Sequence, residues 1–110
     1  MKNILHIRNF ADETLPASDS HKSVTQLFDG PFRKIVEVRL KNNAVLSKHK
    51  ADVPINVFCV SGRGIFRAGT DLEDSQDLTA GTLITLEAGI EHEVIADPEL
   101  VLIVSKFKSE

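Results

Sequence analysis

Apolar and polar side chains alternate along most of this chain beyond residue 33, and the alternation has the period of a β-strand rather than that of a helix. Ile35, Glu37 and Arg39 interleave with Val36, Val38 and Leu40, and Thr82, Ile84 and Leu86 interleave with Leu83 and Thr85. Each such run reads as a strand with one wet face and one dry face. Strands are expected over residues 34–40, 45–50, 56–60, 64–68, 77–78, 82–86, 92–96 and 100–107, with a further one at 4–7. Turn signals separate them: Asp29-Gly30-Pro31, Lys41-Asn42-Asn43, Ser61-Gly62-Arg63-Gly64, Ala68-Gly69-Thr70-Asp71, Ala80-Gly81, Glu87-Ala88-Gly89 and Asp97-Pro98. The Gly62-Arg63-Gly64 turn reads as a hairpin, and residues 71–77 as an acidic, mobile loop. Helical periodicity is scarce. Residues 11–26 hold at most a helical turn, and Pro16, Ser18, Asp19 and Ser20 favour a surface crossing.

Two runs break the alternation by being apolar on both faces, Val57-Phe58-Cys59-Val60 and Leu100-Val101-Leu102-Ile103-Val104. Such a strand is either sandwiched between layers of one chain or covered by a second subunit, so a homodimer is an expected partner.

Composition narrows the reading by exclusion. The 110 residues fit one domain, 1–110, with enough core to need no disulfide or metal staple. A net charge of −3 without a basic patch gives no reason to expect nucleic acid. The single Cys59 has no intrachain partner and reads as a small core residue, which suits a reducing cytoplasm. The first eight residues carry too few clustered apolar side chains for a signal-peptide core, and no stretch approaches the roughly 18 apolar residues of a membrane span. A soluble cytoplasmic protein, with no membrane partner, is expected.

Chemistry enters with two histidines set between like charges, Lys48-His49-Lys50 and Glu91-His92-Glu93. Successive strand residues point to opposite faces, so charges turned to water put both imidazoles inside. Two inward histidines in an all-β domain mark a pocket with the beginnings of a metal site. Ser47 shares the parity of His49. Cys59 shares the parity of Ile55 but lies four residues along, roughly 13 Å away at ~3.3 Å per residue. Asp52 reaches the site only if the register slips, and His6 and His21 read as surface histidines. No nucleophile, base and orienting carboxylate can be assembled from the spacing of Ser47, Ser61 or Ser105.

The run Gly81-Thr82-Leu83-Ile84-Thr85-Leu86-Glu87-Ala88-Gly89-Ile90-Glu91-His92 resembles the second motif of the cupin superfamily, Gly-x5-Pro-x-Gly-x2-His-x3-Asn, with every spacing kept. Glu87 stands at the usual proline and Ala96 at the usual asparagine. The first motif, Gly-x5-His-x-His-x(3,4)-Glu-x6-Gly, aligned on Gly62, puts its histidines at His49 and Ala51 and its glutamate at Ile55. Only His49 survives of those three ligands. The resemblance covers residues 44–96.

It implies an all-β fold, a small antiparallel jelly-roll β-barrel with one central pocket lined by His49, Ala51, Ile55 and His92. It also implies a divalent metal (zinc, iron, manganese or nickel) on His49 and His92. With Ala51 and Ile55 apolar, the expected cofactor is none or a weakly held metal, because such sites normally use three or four protein ligands. The function expected is binding of a small-molecule ligand, with a dioxygenase or isomerase of reduced metal site as the alternative. His49 and His92 merely bonded to each other or to buried water is a third possibility.

Overall fold

The computed structural model describes residues 3–10 and 21–110, which form seven strands and no helix. They are β1 (Lys22–Gly30), β2 (Arg33–Leu40), β3 (Val45–His49), β4 (Ile55–Ala68), β5 (Asp74–Leu78), β6 (Leu83–Leu86) and β7 (His92–Phe107). All pairings are antiparallel. The all-β expectation holds, and no helix among the described residues is long and apolar enough to cross a membrane.

Two long strands build the architecture. Residues 55–62 of β4 pair with residues 100–106 of β7, and β2 and β6 flank that pair. Residues 64–68 of β4 pair with residues 92–96 of β7, flanked by β3 and β5. Each long strand therefore bends from one sheet into the other. The result is a larger sheet in the order β1-β2-β7-β4-β6 facing a smaller one in the order β3-β7-β4-β5, a jelly-roll barrel. Inward residues of both sheets form the core, among them Val38, Leu40, Val57, Cys59, Phe66, Leu78, Val94, Leu100 and Leu102.

The bends explain where the sequence reading departs from the structure. Gly62-Arg63-Gly64 is not a hairpin but the second of two register shifts inside β4, after one between Cys59 and Ser61, and it lies opposite the equally irregular Asp97-Pro98-Glu99 of β7. Turn-forming residues serve here to bend a continuous strand rather than to reverse it. β5 begins at Asp74, inside the segment read as an acidic loop, because edge pairing with residues 64–68 recruits polar residues that alternation alone cannot flag. Residues 11–20 of the expected crossing lie outside the described residues. The rest of it is β1, whose period is broken by a register shift between Gln26 and Phe28. Residues 4–7 form no strand.

The expected wet face of β2 is also not wet. Glu37 is only 3% exposed on the outside of the larger sheet, where its carboxylate accepts hydrogen bonds from Arg8 Nε at 2.7 Å and Arg39 Nε at 2.6 Å. Burial alone raises the Glu37 pKa, but the two guanidinium groups outweigh it and hold the carboxyl below its ordinary value. A depressed carboxyl stabilises the fold above its unfolded pKa, near 4.3, and that contribution is lost as pH falls through the folded value. Urea unfolding between about pH 6 and pH 3 is expected to lose stability more steeply in the native protein than in Glu37→Gln, and parallel slopes would refute this.

Both doubly apolar runs are interior strands of the larger sheet. Their outward side chains are only partly covered: Val101 and Ile103 are half-buried and Phe58 is 40% exposed.

Candidate functional site

Between the sheets lies a cavity of about 230 Å³. Its walls carry Val36, Val38, Ile55, Val57, Leu102 and Val104 from the larger sheet and Leu46, Phe66 and Val94 from the smaller. His49, Ala51, Ile55 and His92 all line it. Ile55 is buried, Ala51 half-buried, and both are apolar surface rather than ligands.

His92 and His49 are direct partners across the β3–β7 pairing, with ring centroids 4.2 Å apart and planes tilted by 59°. His92 is 4% exposed and its ring stacks on Phe66 at 5.6 Å. His49 lies at the mouth and is exposed. A bulge sets this geometry: Leu46 pairs with Val94 and His49 with His92, so three steps of β3 run against two of β7. Leu46 therefore shares the face of His49 and lines the cavity, whereas Ser47, expected on that face, is exposed outside it.

The same bulge and the turn before β7 orient both rings alike. His92 Nδ1 donates to the Ile90 carbonyl at 3.0 Å, and His49 Nδ1 donates to the Ser47 carbonyl at 2.7 Å. A carbonyl only accepts, so a ring held this way in its neutral form carries its proton on Nδ1 and presents Nε2 as a lone pair. Neither Nε2 has a partner among the described residues. Burial holds the His92 imidazole below its ordinary pKa. The Ile90 carbonyl opposes that shift, and the fields of His49 and Lys106 add to it.

The flanking charges divide. Lys48 pairs with Glu91 at 3.1 Å and Arg67 approaches Glu93 at 3.9 Å, all outside the barrel. Lys50 does not follow them, because β3 ends at His49 and strand alternation ends with it. Lys50 borders the cavity at its mouth and is exposed. Lys106 lines it from the opposite wall, on the inward set that begins Leu100, Leu102, Val104. The sequence reading missed both lysines. The parity of Lys106 with Leu102 was the available signal, masked by its place near the frayed end of an apolar run. No aspartate or glutamate lines the cavity, and neither lysine has an ion-pair partner among the described residues.

These donors are a poor match to a resident divalent cation. Among the described residues no three His, Cys, Asp or Glu side chains are grouped to hold one. Two imidazoles supply no negative charge, and the ammonium groups of Lys50 and Lys106 add like charge. Asp52, His21 and Cys59 are absent from the cavity lining, and His6 lies on the outer face of the larger sheet. Buried Cys59 has its thiol pKa pushed up by burial, against a contact with the Ser61 carbonyl, which leaves it an inert core group.

No family sequence model and no curated protein sequence matches the chain. Solved structures do. A cupin-domain protein from Bordetella pertussis is 22% identical with a TM-score of 0.67, covering 86% of this chain and 100% of its own. An RmlC-like cupin from a Desulfovibrio desulfuricans subspecies is 18% identical with a TM-score of 0.76, covering 93% and 97%. An RmlC-like cupin of double-stranded β-helix fold from Methanocaldococcus jannaschii is 14% identical with a TM-score of 0.73, covering 97% and 92%. With two bent strands shared between facing sheets and this likeness over most of its length, the chain is a small protein of the cupin fold.

Proposed function

We propose that this protein is a small-molecule-binding barrel whose central cavity works without a resident metal. The observation that carries the reading is a mostly apolar cavity in which two adjacent imidazoles present unpartnered Nε2 edges. An apolar chamber with a few convergent polar groups is the usual form of a ligand site. Its volume of about 230 Å³ exceeds the ~150 Å³ that accommodates benzene and falls below the range for drug-sized ligands. The ligand is therefore a ring or branched chain with one or two polar substituents. In a thermal-shift screen of chelator-treated protein against small metabolites, some ligands are expected to raise the midpoint, and His92→Ala to lose that gain. A flat response from the native protein across neutral and acidic compounds counts against the reading.

The apolar row on the outer face of the larger sheet supports a second copy of the chain as macromolecular partner. Leu83, Phe58 and Ile103 stand side by side in register across β6, β4 and β7, and Leu83 is 61% exposed. Sedimentation at tens of micromolar is expected to give a dimer, and a monomer at that concentration overturns this assignment.

A further inference from the structure

The two walls of the cavity differ in kind. The smaller sheet offers hydrogen-bond acceptors, the Nε2 edges of His92 and His49, whose Nδ1 protons are already committed to Ile90 and Ser47. The larger sheet offers the Lys106 ammonium, with Lys50 beside the mouth and, among the described residues, no carboxylate in the lining. Two cations with no ion-pair partner among the described residues, Lys106 half-buried and Lys50 exposed at the mouth, attract an anion, and the lone pair that His92 opens into the cavity accepts from a donor. A ligand satisfying both must carry negative charge on one side and a hydroxyl on the other. An ammonium donor fails because the lysines repel it. A dianion is disfavoured by the cost of desolvation against walls that are otherwise Val, Leu, Ile and Phe.

We propose that the cavity takes a small hydroxy acid, its carboxylate held by Lys106 and Lys50, its one hydroxyl proton donated to the inner Nε2, that of His92, and its apolar remainder against Val57, Leu102 and Val104. The inference rests on the reading of this cavity as a ligand site. It specifies recognition by charge, which a metal-free pair of imidazoles cannot provide alone.

Calorimetric titration of the full chain with a chelator present tests it, using mandelate, mandelamide and phenylacetate, and 2-hydroxyisocaproate with its amide as a second scaffold. The acid of each pair is expected to bind at least about tenfold tighter than its amide, the effect of one charge-assisted contact. Phenylacetate, lacking the hydroxyl, is expected to bind severalfold weaker than mandelate. Added salt is expected to weaken the acids and leave the amides unchanged. Lys106→Met keeps the stem and removes the charge, so the acid-to-amide ratio falls severalfold, and in Lys50→Met/Lys106→Met it approaches one. Equal binding of acid and amide by the native protein overturns the hydroxy-acid assignment and leaves the ligand-binding reading standing. A preference surviving in the double variant overturns the role of the lysines. Failure of every compound, amides included, overturns both readings.

Discussion

Gly62→Ala is expected to lower the thermal midpoint by roughly 15 °C, the equivalent of about 3 kcal/mol in a domain of this size. Gly62 has φ +90°, a conformation that L side chains rarely adopt, and an added Cβ would sit 2.1 Å from the Glu99 carbonyl oxygen. That neighbour is backbone, at the place where β4 and β7 both bend from one sheet into the other. It cannot move aside without breaking the pairing of the two longest strands. Gly81→Ala is the matched control: φ is +96°, but nothing lies within 4 Å of an added Cβ. Only conformational strain remains there, about 1 kcal/mol. Equal losses at the two positions, measured by thermal or urea unfolding, would refute the claim that close packing of bent strands gives Gly62 its role.

Leu102→Ala is expected to cost about 3 to 4 kcal/mol, the range for truncating a fully buried leucine that leaves a cavity behind. Leu102 is 1% exposed, lies in the middle of β7, and pairs with Val38 on one side and Cys59 on the other. It also lines the ligand cavity, so its truncation enlarges an existing chamber. The variant is expected to accept bulkier ligands as it loses stability. Urea unfolding measures the first effect and titration with a homologous ligand series the second. A loss below about 1 kcal/mol would mean that the sheets close over the gap.

Much of the fold was legible in the sequence. Val36, Val38 and Leu40 mark an inward face by local alternation, and Asn42 and Asn43, both at positive φ, mark a turn by local conformational preference. The run from Gly81 to His92 keeps the cupin spacing because its glycines, at φ +96° and +80°, occupy turns on either side of β6. The cavity was only partly legible. His49 and His92 were visible by parity, but Lys106 looked like the polar end of an apolar strand, and Lys50, exposed as its charge implied, gave no sign that it also borders the mouth.

What the sequence determined by itself had a short-range cause: strand period, the turns around Asn42-Asn43, Gly81 and Gly89, and the absence of ligand chemistry at Ala51 and Ile55. Tertiary structure decided that β4 and β7 are each shared between two sheets, that Glu37 is buried under Arg8 and Arg39, and that a bulge brings Leu46 and His49 to one face. It also decided that Lys106 faces a pair of histidines across a cavity. The physical reason is that side-chain direction within a strand follows from neighbouring residues. A bulge, a bend or an opposing wall depends instead on partners many residues away, and those partners are set by how the sheets close.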